Sequence, residues 1–400
     1  MNDRDPRYDA PDSPRSVGWV EAQRVVLASG DNPFVLESGT SLAEVEVEYE
    51  TYGSLNADAS NAILVCHALS GDAHVAGWDA RAEQDERPWR SRKPGWWDAM
   101  VGPGKFIDTD CYFVVCSNVL GSCYGTTAPA SLDPDTGKPY GLRFPVVTVE
   151  DWVQLQHRLI THLGIERLHT VIGGSLGGQQ ALEWALAFPN LVDRCVVLAA
   201  SPRLSAQGLG FNAVGRHGIM NDPAFVEGDY YDGEPPAIGL AAARMLAHIT
   251  YLSEQGMDNK FGRRLRSSDK PAFGFGIEFE VESYLDYQGR SFAERFDANS
   301  YLYITRAMDY YDAAARWGDG DLGAACRRIK AATMVVSFST DWLYTPDQCR
   351  ELGATLLRVG APVTYLNLPS PYGHDAFLVE IDMLGPLVRD FLASDQGAES

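Results

Sequence analysis

Short β-branched runs alternate with helical stripes along most of the chain. Residues 62–66, 112–116, 169–172, 195–199, 333–338 and 363–368 are compact apolar segments, the pattern of interior strands in a mostly parallel sheet covered on both faces. Residues 45–50 instead read Val-Glu-Val-Glu-Tyr-Glu, an alternation that predicts a half-buried strand. Between these segments lie helices with readable ends. Thr148 is placed to cap a helix whose stripe is Trp152, Leu155, Leu159 and Leu163, and Gly164 stops it. A second helix opens just after Gly174 and ends before Pro189, and a third covers 384–392. This βαβα rhythm predicts an α/β architecture, a central sheet flanked by helices. Residues 203–320 break it, with helical patterns at 239–251 and 300–311 and an aromatic, acidic stretch at 279–289. The segment is too long for a loop and is expected to be a helical insertion capping one edge of the sheet. The body then comprises 17–202 and 321–394, with loose tails at 1–16 and 395–400.

Composition narrows the partners. With 33 basic and 54 acidic side chains the formal charge is −21, which argues against nucleic acid and against an anionic membrane surface. No apolar run reaches the roughly 18 residues needed to span a bilayer, and the polar, Pro/Asp-rich start has no signal-peptide core. A cytoplasmic protein is the expectation. The seven cysteines are scattered from Cys66 to Cys349 without a CxxC pair, so neither disulfides nor a metal site is expected.

The sharpest chemical signal is Val171-Ile172-Gly173-Gly174-Ser175-Leu176-Gly177-Gly178, a strand running through Gly-x-Ser-x-Gly into a helix. Such a turn lifts the Ser175 hydroxyl above the sheet, and the glycines let strand and helix approach. A serine nucleophile needs a base and an orienting acid, which in this topology follow in the order acid, then histidine. His217 and His248 fall in the insertion, leaving His374, just beyond the last strand. Asp341 directly follows the 333–338 strand, where a carboxylate can hold the imidazole in its useful tautomer. The oxyanion of a tetrahedral intermediate would rest on the backbone N–H groups of Leu69, in the turn after 62–66, and of Leu176. His67 and His74 flank that turn and lack a third metal-ligand partner, so a structural role is expected. Three other patterns fail. Gly102-Pro103-Gly104-Lys105 lacks the rest of a phosphate-binding loop, and Asp133-Pro134-Asp135-Thr136-Gly137 lacks the spacing of a calcium loop. Cys123 has no histidine in a matching position.

These segments together resemble the homoserine O-acetyltransferases of the α/β-hydrolase superfamily. The likeness runs from about residue 25 to 392 and rests on His67-Ala68-Leu69-Ser70-Gly71-Asp72, Lys93-Pro94-Gly95-Trp96-Trp97-Asp98, Asn118-Val119-Leu120-Gly121-Ser122-Cys123, the serine turn, Arg295-Phe296-Asp297-Ala298-Asn299 and Gly373-His374-Asp375-Ala376-Phe377-Leu378. The resemblance implies an α/β-hydrolase fold with a helical lid and a homodimer. It also implies acyl transfer from acyl-CoA to the hydroxyl of L-homoserine in methionine synthesis, with acetyl-CoA as a substrate and no permanently bound cofactor. By the same likeness Ser175 carries the acyl group, His374 moves the proton, Asp341 orients it, and Arg244 and Asp375 hold the acceptor's carboxylate and ammonium. Two basic clusters, Arg90, Arg92 and Lys93 or Arg263, Arg264 and Arg266, could offset the negative surface for CoA. Gly121-Ser122-Cys123-Tyr124-Gly125 departs from relatives that carry a second glycine and a polar residue there, which bears on the acyl tunnel. An arginine two residues after the triad aspartate would suit a succinyl carboxylate; Leu343 stands there and leans toward acetyl. Homoserine O-succinyltransferase and an esterase on the same triad are the alternatives, and serine as acceptor differs from homoserine by one methylene.

Overall fold

The structure is a computed structural model and describes residues 8–85 and 87–394. Eight of the strands formed by these residues make the central sheet: β1 (Gln23–Ala28), β2 (Val45–Tyr52), β3 (Ala62–Cys66), β4 (Phe113–Ser117), β5 (Leu168–Gly174), β6 (Val192–Leu198), β7 (Ala332–Phe338) and β8 (Val363–Leu368). Their order is β8-β7-β6-β5-β3-β4-β2-β1. Strands β3 to β8 are parallel, whereas β2 runs antiparallel to β4, and β1 to β2. The chain leaves β3 for β4 on one side and returns to β5 on the other, which opens a crevice at the carboxyl ends of β3 and β5. Strand β3 shows why the interior runs are unbroken: Leu64 and Cys66 face one layer, Ile63 and Val65 the other, and all four are buried.

Helices close both faces. Helix α1 (Val149–His162) begins with a reciprocal cap, Thr148 Oγ1 accepting from the Asp151 N–H while an Asp151 oxygen accepts from the Thr148 N–H. Helix α2 (Leu176–Ala187) follows the serine turn and packs on β5 and β6. Between β6 and β7 come α3 (Ala206–Met220), α4 (Ala237–Tyr251), α5 (Glu254–Lys260), α6 (Glu280–Ala293), α7 (Ala298–Tyr310), α8 (Ala313–Gly318) and α9 (Leu322–Cys326). Helices α3, α4 and α6 pack on one another and α7 joins through α3, forming the cap. The expected insertion of 203–320 also took in α8, but Trp317 of α8 donates to Glu183 of α2, which puts that helix against the body. Helices α10 (Pro346–Arg358), α11 (Ala376–Val379) and α12 (Ile381–Ala393) complete the chain; α12 supplies Leu384, Val388 and Leu392 to one layer.

Three further expectations are corrected. The tails were placed at 1–16 and 395–400; 1–7 and 395–400 lie outside the described residues, but 8–16 is no loose tail. It turns back onto the body, where Trp78 Nε1 donates to the Asp9 carbonyl at 2.9 Å and Ser16 is buried. Strand β2 is not half-buried: Glu48 and Glu50 are 0 % and 1 % exposed. Arg87 takes both oxygens of Glu48 (2.6 and 3.0 Å), while the Tyr52 hydroxyl (2.6 Å) and His74 Nδ1 (3.0 Å) serve Glu50. Buried carboxylates persist when so paired. Strand β8 is not interior; it is the sheet edge, and Thr364 and Asn367 are exposed. Among the described residues no helix is long and apolar enough to cross a membrane.

Candidate active site

The turn after β5 places Ser175 at φ 58°, ψ −125°, a strained conformation for a residue with a side chain, costing about 1–3 kcal/mol. Close packing sustains it. A Cβ on Gly173 would fall on the Gly177 backbone, and one on Gly177 on the Cys66 carbonyl, so only glycine lets strand, helix and neighbouring loop meet. His374 Nε2 lies 2.8 Å from Ser175 Oγ, and its Nδ1 lies 2.8 Å from Asp341 Oδ2. The other Asp341 oxygen accepts the N–H groups of Leu343 (2.9 Å) and Tyr344 (3.0 Å). With Nδ1–H given to Asp341, Nε2 is the acceptor for the serine proton. Burial pulls the His374 pKa down, but the charge and hydrogen bond of Asp341 outweigh it and hold it above the ordinary value. Tyr344, Phe377 and Tyr251 pack around the imidazole, ring centroids 5.4, 5.7 and 6.0 Å away.

Tyr251 ends α4, and the cap is fastened at this corner. Trp342 Nε1 donates to the Leu252 carbonyl at 3.0 Å, and Ser253 Oγ donates to the Pro371 carbonyl. Gly373, at φ 65°, lies so close that a Cβ would sit 2.6 Å from the Ser253 nitrogen.

Leu69 and Leu176 both lie beside Ser175. Leu69 lines a narrow cavity together with Ser175, and the Leu176 N–H is at the positive end of α2. Among the described residues neither N–H has an acceptor within the protein. The Leu69 turn is braced from behind. Arg90 binds Asp72 (2.6 Å) and Asp79 (3.1 Å), Asn118 Oδ1 accepts from the Ala73 N–H, and His74 is held by Glu50. Burial lowers the His74 pKa, and Glu50 more than restores it. His67 donates Nδ1–H to the Ala68 carbonyl (2.8 Å) and accepts the Val119 N–H (3.2 Å), so both histidines are spoken for structurally.

Arg244 and Asp375 form the other half of the site. Arg244 is 9 % exposed, its Nη1 donates to Ser70 Oγ at 3.2 Å, and its Nε is buried without a partner. Its guanidinium lies 4.6 Å from the Phe292 ring centroid and 5.5 Å from that of Tyr251. Asp375 follows the catalytic histidine, and its carboxyl has no donor among the described residues. Burial pushes its pKa up to about 6, against the lowering pull of His374 and Arg244. An unpaired cation and an unpaired carboxyl thus stand near one activated hydroxyl.

A family model described as alpha/beta hydrolase fold matches residues 61–381. The homoserine O-acetyltransferase of Methanococcoides burtonii is 49% identical over 97% of this chain and 76% of its own length. The homoserine O-succinyltransferase of Halothiobacillus neapolitanus is 51% identical over 95% of this chain and 91% of its own. Among solved structures, homoserine O-acetyltransferase from Bacillus anthracis superposes with a TM-score of 0.84 at 28% identity, covering 95% of this chain and 99% of that one. Esterase E22 gives 0.83 at 31% identity, covering 93% and 100%. This chain belongs to the homoserine O-acetyltransferase family.

For a member of that family the walls around Ser175 matter next. Leu69, Leu246, Tyr251, Leu343 and Tyr344 line the cavity, and among the described residues no Lys or Arg side chain does. Cys123 takes no part there: its Sγ accepts the Asp297 N–H at 3.4 Å, and burial pushes its thiol up to about 12. His217 is on the exposed side of α3. His248 accepts from the Tyr284 hydroxyl at 3.1 Å, and burial, with Arg244 next in effect, lowers it to about 3. Sequence reasoning passed over Ser70, Tyr251, Phe292 and Tyr344. Tyr251 carried one signal, its place seven residues after Arg244, two helical turns along the same face.

Proposed function

We propose that this protein transfers the acetyl group of acetyl-CoA to the side-chain hydroxyl of L-homoserine, giving O-acetylhomoserine for methionine synthesis. One observation carries the reading: a closed Ser175–His374–Asp341 triad beside Arg244 and Asp375, neither of which has an ion-pair partner among the described residues, complementary to an amino-acid zwitterion. The names of its relatives support it. Ser175 Oγ attacks the thioester carbonyl as its proton passes to His374 Nε2, and the Leu69 and Leu176 N–H groups receive the oxyanion. Collapse breaks the C–S bond, the thiolate leaves with the proton from His374, and Ser175 is acetylated. Homoserine then binds with its carboxylate on Arg244 and its ammonium on Asp375. His374 takes the hydroxyl proton, the alkoxide attacks the ester, and the returning proton restores Ser175. Water is the competing acceptor, and the cap over the cavity disfavours it.

Some relatives bear the succinyltransferase name, but Leu343 and the uncharged cavity suit an acetyl group better. The test crosses acetyl-CoA and succinyl-CoA with homoserine and serine, with Ser175→Ala as blank. Acetyl-CoA with homoserine is expected to be fastest, with parallel double-reciprocal lines. A faster succinyl-CoA reaction, or acid release indifferent to homoserine, would replace this reading with the succinyltransferase or the esterase. A cytoplasmic setting and a homodimer belong to the same proposal. Val214 and Ile238, 60 % and 79 % exposed on the cap, are apolar surface that a second copy could cover, and sedimentation would show the mass.

A further inference from the structure

We infer that Lys93 of the body and Arg295 of the cap form a docking point for the phosphates of the acyl-CoA donor. The inference rests on the proposed acyl transfer and adds where the donor's charged end is held. A protein of net charge −21 repels a polyphosphate, so the donor's approach needs a local positive field. Three of the six cations in the two basic clusters are already engaged. Arg90 is consumed by Asp72 and Asp79, Arg264 binds Glu280 at 2.7 Å, and Arg263 stacks 5.6 Å from the Phe279 ring. Lys93 has no ion pair among the described residues. Its loop is pinned beside the Leu69 turn, the Gly95 N–H donating to the Gly77 carbonyl (2.8 Å) and Trp96 Nε1 to the Asp72 carbonyl (2.9 Å).

From the cap, Arg295 and Arg244 place their guanidiniums 5.2 and 4.6 Å from the same Phe292 ring centroid. Arg295 donates to the Tyr124 hydroxyl at 2.7 Å and, among the described residues, to no carboxylate. Lys93 feels both: although its side chain reaches solvent, the protein packed around the amine, then the charges of Arg295 and Arg244, lower its pKa, and Asp72, the carboxylate that pulls it back, is already held by Arg90. Three cations gathered without an anion of their own repel one another unless anions complete the set. The acceptor's single carboxylate occupies Arg244. Lys93 and Arg295 remain, one from the body and one from the cap, and phosphate oxygens match both.

The experiment compares acetyl-CoA with acetyl-pantetheine, which keeps the thioester but lacks both the phosphates and the adenosine, in the unmodified protein, Lys93→Glu, Arg295→Gln and Arg295→Lys; the variants separate the phosphate contact from the adenosine's. The expected result is a kcat/KM ratio favouring acetyl-CoA that falls about tenfold or more in Lys93→Glu and Arg295→Gln, and less in Arg295→Lys. In the unmodified protein the ratio also shrinks as salt screens the contact. Lys93 is exposed, so Lys93→Glu keeps the test valid if an Arg295 variant folds poorly. A ratio near one in the unmodified protein overturns the inference, as does a ratio unchanged in the variants while the homoserine KM rises. Acyl transfer from neither thioester overturns the proposed function and this inference with it.

Discussion

The body and the cap contribute to one site in different ways. The body supplies position through backbone: a strained serine, a histidine and an aspartate each just past a parallel strand, and two idle N–H groups. In the proposed reaction the cap supplies recognition through side chains, chiefly Arg244, which packs on Phe292 and Tyr251. The chemical step therefore depends on a geometry that many α/β hydrolases can share, and the choice of acceptor on a few groups above it. This separation can be broken at either end.

The largest effect belongs to the body. Ser175→Ala should lower kcat/KM by about 10⁴–10⁶, and mass spectrometry with acetyl-CoA alone should lose the acetyl adduct while circular dichroism stays native. In the cap, Arg244→Lys keeps the charge but loses the planar fork, and the homoserine KM should rise about 10–100-fold; donor-only acylation should still be detected. A KM that does not move would mean the carboxylate binds elsewhere. pH separates the two halves more finely. Asp375 binds an ammonium only when ionised, so acceptor kcat/KM should fall as pH drops through about 6. His374 must be neutral to accept the serine proton, and its pKa is raised, so acylation also falls with decreasing pH. Donor-only acylation reports His374 alone; dividing it out should leave a step near pH 6 that Asp375→Asn abolishes. The smallest effect lies far from the chemistry. Thr148→Ala removes the α1 cap and should cost about 1 kcal/mol, seen as a lower urea midpoint with acyl transfer kept.

The same separation governed what could be read from residues alone. Strands β3 to β7 and the order Ser175, Asp341, His374 were legible because burial on both faces and a glycine-flanked turn leave local marks. Strand β2 was misread because its alternation says nothing of Arg87 and His74, which arrive from later loops to neutralise Glu48 and Glu50. Strand β8 looked interior because an apolar run does not announce that no strand follows it. Arg244 is one arginine on an ordinary amphipathic helix; only the family resemblance singled it out, since Ser70 and Phe292 reach it from distant parts of the chain.

The fastening at Leu252, Ser253 and Gly373 has a consequence for traffic. Swinging the cap aside would break the Trp342 and Ser253 hydrogen bonds and pull α4 away from the histidine that the reaction needs. The roof is a fixture rather than a door. Under the proposed reaction, both substrates would then reach Ser175 beneath an anchored α4, the acceptor entering after the spent thiol has left.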